Sequence, residues 1–123
     1  MRTLLFLIIL IGCTAACKKL ETVPPVVTLF SPMANDSFYT ADSVSLSFNI
    51  KDKSLRSYSV IISNSYTRKI YYKEQMAIST NDTSIDKKVF VSVPNDTIAY
   101  INVLAVDANG NTGGAGTSFK LKR

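Results

Sequence analysis

The chain contains no histidine and no tryptophan, and its only cysteines, Cys13 and Cys17, both precede the part that reads as folded. Without an imidazole, or a thiol beyond residue 17, the usual base and nucleophile pairings of enzymes are missing, and so are the nitrogen and sulfur donors of transition-metal sites. No catalytic role and no cofactor are therefore expected. No disulfide can form within the domain, so its stability must come from its core. A strong charge imbalance is also lacking. Lys and Arg number 14 against 9 Asp and Glu, and setting aside Arg2 leaves 13 against 9. Nucleic-acid binding needs a denser basic stripe with interleaved aromatics, and none is present.

Only one long apolar run occurs, Leu4 to Ile11. As a helix it would cross roughly half of a bilayer core, too little for a transmembrane span. With Met1 and Arg2 before it and the small residues Gly12, Ala15 and Ala16 after it, the run has the layout of a signal peptide. A cysteine after small residues at the end of such a run resembles the lipobox of bacterial lipoproteins, whose thiol receives diacylglycerol before cleavage. Two segments compete for that role. Leu10-Ile11-Gly12-Cys13 has the closer lipobox residues but leaves a very short signal. Thr14-Ala15-Ala16-Cys17 gives an ordinary length, and Lys18-Lys19 after it resembles the mature start of outer-membrane lipoproteins of Gram-negative bacteria. The expected organisation is a signal peptide over 1–16, a tether over 17–24 lipidated at Cys17 (with Cys13 as the alternative), and one domain over 25–123. Two or three acyl chains would hold such a protein on its membrane permanently, because each buried methylene contributes about 0.8 kcal/mol. From Lys18 to Pro25 the tether would reach at most about 26 Å, and Pro24-Pro25 stiffens its end.

Beyond the tether, apolar residues recur every second position between clusters of Asn, Asp, Ser and Gly, which is the pattern of strands and turns. Val44, Leu46, Phe48 and Ile50 alternate with Ser45, Ser47 and Asn49. The same rule predicts strands at Val26–Phe30, Tyr58–Ser63, Lys69–Lys73, Ile85–Val93, Ala99–Asp107 and Ser118–Lys122, with Val89, Val91 and Val93 pointing inward. Seven short strands without a helix predict an all-β fold, a seven-stranded immunoglobulin-like antiparallel sandwich. Within the sixth predicted strand, Ile101, Val103 and Ala105 should face the other sheet. Its opposite side, with Tyr100, Leu104 and Val106, is more apolar than solvent requires, so it must be covered or form a contact surface.

Pro25-Val26-Val27-Thr28-Leu29-Phe30-Ser31-Pro32 resembles the opening strand of bacterial immunoglobulin-like modules. Phe48-Asn49-Ile50-Lys51-Asp52, followed by Leu55 and Tyr58, is similar to their second and third strands. The run from Ile101 to Asn111, ending in Ala105-Val106-Asp107-Ala108-Asn109-Gly110-Asn111, is similar to their sixth strand and its turn. The resemblance covers nearly all of residues 25–122 and implies a fold rather than an activity. Small lipoproteins of unknown function share the layout but often carry histidines, so any metal role among them does not transfer to a chain without one.

Four groups of residues bear on function. Asp107, Asn109 and Asn111, with Asp52 in a nearby turn, offer hard oxygens of the kind calcium takes; the ion needs six or more, however, and capping of the turn by Asp107 explains the same residues. Tyr66, Tyr71 and Tyr72 with Arg68 could form a platform for a sugar or a protein partner, although aromatics are favoured in strands anyway. Asp42-Ser43-Val44 and Asp96-Thr97-Ile98 resemble bacterial O-glycosylation sites, with Ser43 and Thr97 as acceptors. The scattered carboxylates and hydroxyls form no recognisable catalytic set. The expectation is an exported, lipid-anchored protein of the cell envelope, on the outer membrane. Its partners would be that membrane and an envelope protein, through an adhesive or assembly module; the alternative is a surface lipoprotein that binds carbohydrate.

Overall fold

A computed structural model describes residues 19–123. Cys13, Cys17 and the leader lie outside the described residues. Eight strands follow the tether: β1 (Val26–Ser31), β2 (Ser37–Tyr39), β3 (Val44–Lys51), β4 (Leu55–Asn64), β5 (Ile70–Ala77), β6 (Asp82–Val89), β7 (Thr97–Asp107) and β8 (Thr112–Lys122). They form two sheets, one in the order β1-β3-β6 and the other in the order β2-β8-β7-β4-β5. This is an all-β sandwich of immunoglobulin-like type, and both sheets and the whole core lie within residues 25–123.

Period-two alternation builds the core as expected, because successive side chains of a strand point to opposite faces. Val44, Leu46, Phe48 and Ile50 of β3 face Val60 and Ile62 of β4 and Ile101, Val103 and Ala105 of β7, all buried. Two edge-to-face aromatic pairs pack in the core, Phe48 with Tyr58 at 5.5 Å between the sheets and Phe38 with Phe119 at 5.8 Å between neighbouring strands of one sheet. Each such pair contributes about 0.5–1.5 kcal/mol beyond its burial.

The strand count and the sheet edges differ from the sequence expectation. Among the described residues there are eight strands, not seven, and one pairing is parallel: β2 runs alongside β8, Ser37 beside Lys120 and Tyr39 beside Lys122. A three-residue strand is too short to show a period, and only the half-buried Phe38 anchors it. Strand β8 begins at Thr112 rather than Ser118, in a Gly-Gly-Ala-Gly stretch that reads as loop. Those glycines are required by close approach. A Cβ on Gly113 would stand 1.8 Å from the Pro25 carbonyl oxygen, and one on Gly116 would stand 2.4 Å from the Tyr100 hydroxyl. Tyr100 and Leu104 lie across Gly116 and Gly114, which covers the outer apolar side of β7. Val91 and Val93 are buried as expected but lie beyond the end of β6. The pairing stops at Val44 with Val89, and no strand remains alongside them.

The two ends of the sandwich are unlike. The tether arrives at the end formed by the β3–β4, β5–β6 and β7–β8 turns. Here the Glu21 carbonyl accepts a hydrogen bond from the Asn111 side chain at 2.9 Å, and the Glu21 carboxylate stands 3.8 Å from Lys53. The opposite end is formed by the β2–β3, β4–β5 and β6–β7 connections and the C-terminus.

Candidate functional site

Three polar arrangements stand out, of which two are structural. At the tether end, the fully buried Asp107 closes the β7–β8 turn. Its Oδ1 accepts from the backbone N–H groups of Asn109 and Asn111, each at 2.8 Å, and its Oδ2 from the Asn111 side-chain amide at 2.7 Å. Burial alone would raise the pKa of this carboxyl. The Asn111 amide and the turn N–H groups outweigh burial and hold it below the ordinary carboxylate range. The Asx-type turn ends on Gly110, whose φ of 85° suits glycine. Asp52 lies in the neighbouring turn, where its Oδ1 accepts from Ser54 N–H at 2.7 Å, and Ala108 N–H donates to the Ser54 carbonyl. The calcium candidates Asp107 and Asp52 thus have carboxylate oxygens bonded to turn amides, and Asn109 is exposed. Among the described residues no group of three or more Asp, Glu, Cys or His side chains converges.

The second arrangement, around Glu74, was not singled out from the sequence. Glu74 on β5 points into the gap between the sheets, where it accepts from the hydroxyls of Tyr58 and Tyr72 and pairs with Lys87 of β6. Lys87 shares the inward face of Ile85 and Val89, being paired with buried Leu46. This clasp ties the edge of one sheet to the edge of the other. Burial pushes the Glu74 pKa up, but hydrogen bonds and charge from Lys87 and the two tyrosines bring it below its ordinary value. Burial first, and then the hydrogen bond to Glu74 and its charge, push Tyr58 and Tyr72 up to about 12. One signal was available in the sequence: Lys87 and Glu74 each occupy an inward position of an alternating strand.

The third arrangement is the end opposite the tether. Asn64 organises the β4–β5 loop, with its Oδ1 accepting from Tyr66 N–H and Thr67 N–H at 2.8 and 2.9 Å and its Nδ2 donating to Tyr71 Oη and Thr97 Oγ1. Arg68 completes the loop with a φ of 63°. Tyr66 is left 76% exposed. The predicted aromatic platform therefore divides. Tyr66 and Arg68 are exposed, whereas Tyr71 and Tyr72 lean on the core with their hydroxyls bonded to Asn64 and Glu74. The cause is a bulge where the register passes from Ile62–Tyr72 to Ser63–Ile70, which leaves Tyr71 unpaired in the ladder.

Two further exposed aromatic residues stand at this end, Tyr39 at the end of β2 at 54% and Phe90 just after β6 at 80%. Lys122 reaches over the Tyr39 ring at 5.8 Å, a cation–π distance. Beneath Tyr66 lies an open, largely apolar concavity of about 400 Å³, lined by Thr97, Ile98, Lys120, Leu121 and Lys122, with Asp96 at its rim. A second, of about 490 Å³, lies between Tyr39 and Phe90. Ser43 and Thr97, the candidate glycosylation positions, sit half-buried at this same end, and the Thr97 hydroxyl oxygen accepts from Asn64 at 2.8 Å.

No family model and no curated protein matches the chain. Among solved structures, CopC from Methylosinus trichosporium OB3b is similar at 15% identity over 79% of this chain and 94% of its own, with a TM-score of 0.50. OgpA from Akkermansia muciniphila is similar at 17% identity over 86% of this chain and 30% of its own, with a TM-score of 0.57. At such identities the likeness is one of fold, and the fold these chains have in common with this one is the two-sheet β-sandwich.

Proposed function

We propose that this chain is an exported, lipid-anchored contact module of the cell envelope, held by Cys17 and without catalytic activity. One observation carries the reading: the tether joins one end of the sandwich, and three exposed aromatic side chains stand at the other. Exposed rings of this size add nothing to a core, and in a protein with a fixed attachment they face whatever the attachment holds the protein towards. The docked tether supports the same picture, since Glu21 and Pro25 rest against the β7–β8 turn and leave few free residues between domain and lipid.

A second reading is carbohydrate binding at the concavity under Tyr66, where a rigidly held ring overhangs a space large enough for one or two sugar units. Labelled palmitate entering the wild-type protein but not the Cys17→Ser variant is the expected outcome for the anchor. Protease treatment of intact cells then reports which side of the membrane the domain faces. Cross-linking from Tyr66 or Phe90 positions should capture a partner for the first reading, and a glycan array should respond for the second. Palmitate incorporation unaffected by loss of both cysteines would overturn the anchor.

A further inference from the structure

The end opposite the tether has the composition of a membrane-interface surface, and we propose that it docks on an anionic lipid bilayer, resting on the contact-module reading above. Three rings stand at this tip, Tyr39 at the end of β2, Tyr66 in the β4–β5 loop and Phe90 just after β6, all more than half exposed. The three turns at the tether end present no aromatic residue. Tyrosine belongs to the aromatic belts of membrane interfaces, because its ring is apolar and its hydroxyl stays wet. Cations surround the rings: Arg68 on the Tyr66 loop, and Lys120 and Lys122 between the two concavities. Such cations attract an anionic leaflet and lose that attraction as salt rises. Two acids share this end: Asp96, which accepts the Arg123 backbone N–H at 2.9 Å, and the exposed Asp42 at the second concavity, where Lys88 also lies.

A lipid surface fits these residues better than a sugar does. A saccharide site needs fixed donors and acceptors converging on the ligand. Around the Tyr66 concavity the fixed polar groups are already paired with one another, Thr97 with Asn64 and Asp96 with the C-terminal backbone. What remains is rings, Ile98 and Leu121, and mobile lysines. Three rings on separate segments around an end also suit a plane more than a cleft. Strand β7, with 11 residues, holds the tip about 35 Å from the end where the tether enters.

The test is flotation of the purified domain, residues 19–123, which contains both sheets and the core. The vesicles are equimolar phosphatidylcholine and phosphatidylglycerol, or phosphatidylcholine alone. Binding to the anionic vesicles, weakened by salt, about tenfold weaker in Phe90→Ser and again in Tyr66→Ser, is the expected result. Circular dichroism of each variant controls for folding. No binding, equal binding to both vesicle types, or binding indifferent to the aromatic substitutions overturns the proposal. So does a glycan-array response from a domain that ignores vesicles. The protein tested lacks the anchor, so failure here leaves the palmitate result standing, and failure of palmitate labelling leaves this one standing.

Discussion

Lys87→Met should destabilise the domain at neutral pH by about 1–3 kcal/mol, and by much less in acid. The magnitude follows from where the pair sits. The side chains of Lys87 and Glu74 are 31% and 19% exposed, between a surface ion pair worth about 0–1 kcal/mol and a buried one whose breakage costs about 3–5. Without Lys87 the carboxylate keeps its bonds to Tyr58 and Tyr72 but loses its only positive partner in the clasp. The sign of the pH effect is fixed by the direction of the Glu74 shift. A carboxyl whose folded pKa lies below its unfolded value of about 4.5 contributes stability above that value, and loses it as pH falls through the folded pKa. The penalty of the variant should therefore be full at pH 7 and fade once Glu74 is protonated. Urea unfolding followed by circular dichroism at both acidities measures it, with a midpoint lowered by about 1 M at pH 7. In a double-mutant cycle, Glu74→Gln should remove most of the cost of Lys87→Met. A loss of equal size at both acidities, or costs that simply add in the cycle, would show that Lys87 acts through its methylene packing and that the clasp is not electrostatic.

Tyr58 and Tyr72 give a second pH signature. Their folded pKa values stand near 12 against an ordinary 10, so the stability they supply is complete below pH 10 and is lost as pH rises towards 12. Phenolate absorbance should show Tyr58 and Tyr72 ionising late, and Glu74→Gln should bring both down. Gly113→Ala places a methyl within 1.8 Å of the Pro25 carbonyl, so either the tether or β8 must move, at about 1–3 kcal/mol. Limited proteolysis should then cut the variant between Lys19 and Pro25 faster than the wild type, and unchanged cleavage would mean that the tether does not rest there.

Much of the sandwich was legible because the alternation in β3 and β7 has one cause, a single buried face. Asp107 was legible as a turn residue for a similarly local reason, since the amides it accepts from lie two and four residues away. What could not be read depended on partners far along the chain. Strand β2 exists because β8 lies beside it, and the start of β8 reads as loop until Tyr100 and Leu104 are seen lying across its glycines. Tyr71 and Tyr72 looked like companions of Tyr66, and only the bulge against β4 separates them. Glu74 lay just past the predicted strand Lys69–Lys73 and was not singled out. It is an inward charge of the kind that blunts a sheet edge against pairing with other chains, made tolerable by Lys87 from the opposite sheet. Charges at Asp82, Asp86 and Lys88 guard β6 by other means.

Phe90 offers the sharpest separation between a residue kept for folding and one kept for contact. It lies between Val89 and Val91, both buried, so the alternation turns residue 90 away from the core, to the side where Ser92 also stands. There it is 80% exposed, its ring keeps most of its water, and the domain gains little from its burial. Phe90→Ser should accordingly leave the urea midpoint within the range of ordinary surface substitutions, about 0.5 kcal/mol either way, while Val91→Ser, one position along, should cost several times more. If Phe90→Ser destabilised the domain as much as Val91→Ser, the ring would be part of the fold, and the distinction between a structural end and a presenting end would fail at its most exposed residue.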